Sequence, residues 1–436
     1  MTVERSLDAI LRSWRERHVP DADADARTTI DVVDVEVIRP GRPGLVDVVA
    51  EMDGRLGHAV LAVLRPEDPL DPVGTAEEPI LGSVEDGDGV GIVVDALHDA
   101  DAARLLLEAV EGRSPGAGSR DRRAVSVVRD DGEVTVLAVD RRVTLSVLPW
   151  LARGPHPGIT LIAGLDEAGF NHLAAPVAFW RRAGRDLGVV QELLAGASSG
   201  WELAISSLRD MIASGEPPAA AGGDFAAEAF ALGTMTARMH VALDRAFGRR
   251  SGDVASLADA IAAGPRRAGS NGRLDPLIDE RLDPLLDGRL DELLDELRRC
   301  GVRTTTIRTH GDFHLGRTAR TDYGWILADS MPGGTDPGSE EPVYRCPLAD
   351  VADFTSSLRR AADVAVAERG PVPAGAPPGD LAAAWEARNR RAFVAAYLAT
   401  PGIGGLVPAD RRIVRRLLAF FELAHEARCS ERLDVP

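Results

Sequence analysis

The sequence predicts an α+β chain laid out as three successive regions: a small mixed N-terminal region, a β-rich region and a mainly helical C-terminal region. Three observations predict it. Short β-branched runs separated by turn residues recur through the first 196 residues. From Trp201 onward apolar residues recur at helical spacing. A stretch rich in glycine and bearing a proline, Gly112 to Gly118, parts the first region from the second. At 436 residues the chain is too long for one ordinary core, so two or three domains are expected. The boundaries are placed at 1–112, 119–196 and 197–436.

Taken in order, Ile30–Val37, Leu45–Glu51, His58–Leu64 and Gly89–Ala96 read as strands of an N-terminal cap, and Asp99–Val110 as its helix. Ala124–Val128, Val134–Val139 and Val143–Leu148 read as three consecutive strands, with turns at Asp130-Asp131-Gly132 and Asp140-Arg141-Arg142. A helix over Ile159–Ala168 is closed by Gly169. Two more strands follow, near Val177–Trp180 and Val189–Leu194. Helices are expected over Trp201–Ile212, Asp224–Phe247, Ala349–Ala365, Leu381–Leu398 and Pro408–Ser430. His240, among Met235, Met239 and Leu243, reads as a packing or capping histidine. The period-eight repeat of Arg273–Glu296 reads as a solvated surface insertion with short helical pieces at Pro276 and Pro284.

Hydrophobic content of 45% and charged content of 27% are those of a soluble globular protein. The net charge of −18 argues against nucleic acid and against an anionic membrane surface. The three cysteines lack metal spacing and fit free thiols in a reducing cytoplasm. The N-terminus carries charges throughout and is no signal peptide, and no apolar run approaches the ~20 residues of a membrane span. All 50 basic residues are arginine; the chain has no lysine, so no role that needs a lysine ammonium can be filled.

The chemistry concentrates in Thr309-His310-Gly311-Asp312-Phe313-His314-Leu315-Gly316-Arg317 and in Trp325-Ile326-Leu327-Ala328-Asp329. An apolar strand ends on one carboxylate, and a polar loop seventeen residues upstream holds another. Phosphotransferases use such a pair: one Asp accepts the proton of the attacking hydroxyl, and the other holds the metal on the nucleotide phosphates.

Around these residues the chain resembles the maltokinase and actinobacterial glucosamine kinase group, a branch of the aminoglycoside-phosphotransferase-like kinases, as a divergent member. The resemblance rests on Val93-Val94-Asp95-Ala96-Leu97-His98-Asp99, on Gly158–Phe170, on Val190–Leu194 and on Gly200-Trp201-Glu202-Leu203-Ala204. It is extended by Trp325–Asp329, by Cys346-Pro347-Leu348-Ala349-Asp350-Val351-Ala352, and by Trp385, Arg388, Asn389, Phe393 and Tyr397. It implies a bilobal kinase-like α+β fold with an N-terminal cap, ATP and Mg²⁺ as cofactors, and a sugar or aminosugar acceptor. By the same resemblance Asp312 is the base and His310 and Gly311 shape its loop. Asp329 is the metal ligand, and Gln191, Glu192, Leu193 and Leu194 form the adenine hinge. Asp350 and Arg388 are structural or near the substrate.

Several positions depart from that pattern. The strand lysine that bridges nucleotide phosphates falls on Ser146, and its helix glutamate on Thr160. Losing both together leaves two small hydroxyls and no stranded charge. The second metal ligand, five residues after the base, falls on Arg317, which cannot coordinate a cation. Arg317 can still meet a phosphate with its planar fork. After Asp329 the sequence runs Ser330-Met331-Pro332, and after Glu422-Leu423 the residues Ala424-His425 stand where maltokinases have an Asp-Lys pair lining the sugar pocket. Two functions stand: an ATP-dependent sugar or aminosugar kinase of weakened activity, or a pseudokinase that binds without transfer.

Overall fold

The computed structural model describes residues 2–18, 29–74, 79–86, 89–112, 124–220, 224–253, 284–300, 303–328, 344–368 and 377–430. Asp329 lies outside them, as do repeat residues 273–283, linker residues 113–118 and most of the loops after Asp329 and Gly370. The described residues fall into two compact units. One holds those up to Ala163 together with Ala174–Ala195; the other holds Gly164–Leu173 and those from Gly196 onward.

The first unit opens with α1 (Thr2–His18). Then come β1 (Ile30–Arg39), β2 (Gly44–Met52), β3 (Arg55–Leu64), β4 (Ile80–Asp86) and β5 (Gly89–Asp95), followed by α2 (Ala100–Val110). These strands pair antiparallel in the order β1-β2-β3-β5-β4, with β9 (Trp150–Leu151) also on β3. A second antiparallel sheet runs β10-β11-β8-β7-β6, from β6 (Val125–Asp130), β7 (Thr135–Val139), β8 (Val143–Val147), β10 (Pro176–Arg182) and β11 (Arg185–Glu192). One apolar cluster joins the two sheets: Leu45, Val60 and Ala62 meet Leu106 and Leu107 of α2, and Leu137, Leu145 and Val190 of the second sheet. Each buried leucine contributes about 1.5–3 kcal/mol. Asp99 starts α2 as its cap, accepting from the amide of Ala102 at 2.9 Å. Helix α3 (Pro157–Glu167) ends where Gly169 takes φ +74°.

In the second unit, β12 (Ser198–Ser199) leads into α4 (Gly200–Ser214) and α5 (Ala226–Phe247), then β13 (Arg249–Asp253), α6 (Pro284–Cys300) and β14 (Arg303–Arg308). The hairpin β15 (Thr318–Thr321) and β16 (Gly324–Leu327), strand β17 (Tyr344–Arg345), and helices α7 (Leu348–Ala367), α8 (Pro378–Ala399) and α9 (Arg411–Ser430) complete it. Helices α5 and α8 approach so closely at Gly233 that a Cβ there would lie 2.2 Å from the carbonyl oxygen of Phe393. No described helix is long and apolar enough to cross a membrane.

Three features depart from the sequence expectation. Helix α1 was not anticipated, although Ile10, Leu11, Trp14 and His18 form a buried stripe. Strand β4 is not legible in the sequence because Gly82 and Ser83 interrupt its pattern; at Gly82 a Cβ would press at 3.0 Å on the Ile10 side chain of α1. The later repeats are not merely a solvated face: they form α6, whose Leu294 and Leu297 are buried.

Candidate active site

Strand β14 delivers the chain to the loop 309–317. Thr309 and His310 are buried, and Phe313 is wholly so. Phe313 packs 5.5 Å from Phe354 of α7, which stacks 4.1 Å from Phe393 of α8, so the loop is anchored in the core. Gly311, at φ +88°, turns the chain in a conformation that a side chain would strain.

Asp350, in the first turn of α7, holds this turn. Its carboxylate accepts from the amides of His310 at 2.8 Å and Gly311 at 3.0 Å. It also lies 3.1 Å from Nε2 of His240 on α5. His240 Nδ1 in turn lies 2.9 Å from the Tyr397 hydroxyl on α8. Hydrogen on Nε2 satisfies both contacts: Nε2–H donates to Asp350, and Nδ1 accepts from Tyr397. Burial opposes ionisation of Asp350, but the hydrogen bonds from His240 and the Gly311 amide hold its carboxyl below the usual range. His240 is therefore a second support of the loop and more than packing.

Asp312 stands at the exposed side of the same turn. Arg317 reaches back to it: Nη2 donates to Oδ2 at 2.6 Å, and Nε donates to the same oxygen at 3.2 Å. The arginine side chain is 11% exposed and the carboxylate 34%. His314 Nδ1 accepts from the amide of Gly316 at 3.1 Å, while its Nε2 lies 3.8 Å from Asp312. Burial, with the charge of Arg317, lowers the pKa of His314 against the pull of Asp312.

Arg317 ends a 3-10 turn, Leu315–Arg317, fixed on several sides. Leu315 N donates to Ser357 Oγ of α7 at 3.1 Å, Arg317 N to His314 O at 2.9 Å, and Ala328 N to Arg317 O at 2.9 Å. Gly200, the first residue of α4, lies against this turn: a Cβ would be 2.3 Å from Thr318 Oγ1 and 2.7 Å from Leu315 O. One turn beyond Asp350, Asp353 accepts from His425 Nδ1 at 2.8 Å. Glu422 is bonded by Arg390 and by Thr355 Oγ1. Arg388 is paired with Asp224.

The other predicted residues lie in the first unit. Ser146 is buried in β8, between Val136 of β7 and Val189 of β11. Thr160 Oγ1 donates to His156 O at 2.9 Å. Both hydroxyl positions are accommodated without a charge. Gln191 Nε2 donates to Ala174 O at 2.9 Å. The amides of Glu192 and Leu193 donate to Ala175 O and Arg142 O, so these two hinge donors are engaged within the unit.

The described donors do not suit Mg²⁺. The carboxylate of Asp312 already takes a guanidinium, and the residue five positions on is that guanidinium. Among the described residues no three His, Cys, Asp or Glu side chains are placed to hold a metal ion. Buried Cys346, its thiol pushed up to about 11 by burial, is no nucleophile.

No protein-family model matches the chain. A glucosamine kinase from Streptacidiphilus jiangxiensis is 29% identical over 338 residues, which is 75% of this chain and 72% of that protein. A solved glucosamine kinase in complex with glucosamine, ADP and inorganic phosphate superposes with a TM-score of 0.62 at 21% identity, covering 95% of this chain and 91% of that one. Crystal form A of a glucosamine kinase gives 0.59 at 22% identity over 92% and 86%. The chain therefore has the kinase-like α+β fold of those proteins.

Proposed function

We propose that this chain is a relative of the sugar and aminosugar phosphotransferases that retains ligand binding and has lost efficient phosphoryl transfer. The contact of Arg317 with Asp312 carries this reading. A general base must present an open carboxylate oxygen to the attacking hydroxyl. Here Oδ2 of Asp312 takes two charge-assisted bonds from one guanidinium, so only Oδ1 is left to meet a hydroxyl and the carboxylate is turned by the arginine rather than by substrate. Ser146 and Thr160 support the same reading, because neither can clamp a γ-phosphate as a Lys–Glu pair does.

The ligand classes follow from likeness. A glucosamine kinase of this fold has been solved with glucosamine and ADP, so an aminosugar and a nucleotide are the ligands we propose. The aminosugar is preferred to maltose, because Ala424-His425 stand where maltokinases carry Asp-Lys, and His425 is paired with Asp353.

A second reading, an active ATP-dependent kinase with Asp312 as base and Asp329 holding Mg²⁺, is favoured by the 29% identity to a glucosamine kinase. Thermal shift with ADP and glucosamine, beside a phosphorylation assay over glucosamine, other monosaccharides and maltose, separates the two. Stabilisation without product supports the binding reading. Product formation that Asp312→Asn abolishes overturns it in favour of the kinase.

A further inference from the structure

We infer that the guanidinium of Arg317 takes the place of a divalent cation at this loop, so that the chain binds a phosphate-bearing ligand without one. For its ligand class the inference rests on the binding reading above.

Three observations converge on it. Arg317 stands five residues after Asp312, and its Nη2 and Nε both bond Asp312 Oδ2. The side chain is 11% exposed, and its turn is tied to α7 through Ser357 and to the end of β16 through Ala328. Its position is therefore built in, unlike that of a surface arginine that happens to find a carboxylate. Gly200 supplies a third restraint, since the turn packs where a side chain at position 200 would collide with it.

The chemistry follows from the group. A guanidinium stays protonated at any physiological pH, carries five N–H donors and has no lone pair with which to ligate a metal. A divalent cation approaching Asp312 would meet that fixed positive charge, and its carboxylate ligand would have to leave two strong bonds. A phosphate meets the opposite situation. The planar fork that binds one carboxylate is of the kind that binds phosphate oxygens, and the positive charge which Mg²⁺ would bring is already present.

Calorimetry of ADP binding to the full chain, once in EDTA and once in excess MgCl₂, tests this. Wild type is expected to bind with affinities within roughly threefold of each other. Arg317→Gln, which restores an amide oxygen at this position, should lose more than roughly tenfold in EDTA and regain affinity when MgCl₂ is added. Arg317→Lys, which keeps the charge without the fork, should fall between them. Circular dichroism melts show whether each variant is folded. Wild-type binding that requires MgCl₂ overturns the inference and leaves the binding reading intact. Unchanged affinity of a folded Arg317→Gln in EDTA overturns it too. No ADP binding under either condition overturns the nucleotide half of the binding reading and this inference with it.

Discussion

The first unit and the loop of the second have left the kinase pattern in opposite ways. In the first, the two positions that the resemblance assigns to a charged pair, Ser146 and Thr160, carry hydroxyls, one buried in a sheet and the other bonded to a helix carbonyl. In the second, a charge has been added: Arg317 arrives and takes hold of Asp312. Yet the frame of the loop is kept, with Asp350 bonding two consecutive amides and His240. Subtraction leaves nothing behind that needs a partner, whereas addition works only if the frame that aims the new group survives. The difference teaches that Asp350 and His240 still hold the loop in shape, while on the proposed reading the first unit keeps no phosphate clamp.

The largest test of that contrast is Asp350→Ala. It strands the amides of His310 and Gly311 and the ring of His240 around a carboxylate position that is fully buried. Denaturant unfolding should show a loss of about 3–5 kcal/mol. A loss under ~1 kcal/mol would mean that the frame is not what holds the loop.

The next test asks whether the first unit has given up buried ion pairs in general. His98 lies 3.0 Å from Asp130 and 3.4 Å from Asp95. Burial opposes its charge, but these two carboxylates raise its pKa to about 9 from an ordinary 6.5. A raised pKa stabilises the fold fully below about pH 6.5, and the contribution is lost as pH climbs through about 9. The separation corresponds to roughly 3 kcal/mol, lost across that window. Asp95 and Asp130, whose carboxyls are lowered, act at the other end, and their contribution fades in acid below the ordinary carboxylate range. Unfolding free energies from pH 6 to 10 should therefore decline in wild type. His98→Asn should flatten the decline.

Gly200→Ala comes third. Its methyl would meet Thr318 Oγ1 and Leu315 O, so the turn that carries Arg317 must shift. A cost of about 1–3 kcal/mol is expected in a thermal melt, together with weaker ADP binding. The smallest effect concerns the subtracted pair. Ser146→Lys should destabilise by burying an unpaired charge, and adding Thr160→Glu should recover on the order of 1 kcal/mol by double-mutant cycle. Strict additivity would mean that the two positions no longer face each other.

Much of this was legible in the sequence, and what was not has a physical reason. Most strands of both sheets were legible, β6 by its alternation of half-buried and exposed residues and β2 and β3 by apolar runs buried on both faces, while β4 was not. The loop was found because its residue types and spacing serve a chemistry, and Arg317 was visible there as a misfit. Its partner was not fixed by sequence, since an arginine reaches several neighbours and only packing selects one. The pairing of His240 with Asp350 and Tyr397 was illegible for a different reason. The three lie on different helices, and from His240 alone the pattern matches an apolar helix face. Helix α1 was not legible because charges run along its whole length and mask its buried apolar stripe.

Gly311 itself is exposed, yet its amide is turned inward onto a fully buried carboxylate. Solvent can touch the residue without reaching its hydrogen. Deuterium should therefore enter this amide, and that of His310, only when α7 parts from the loop, at the slow rate of core strands and far from the rate of an open turn. The loop that looks most accessible along the surface should keep time with the deepest part of its unit.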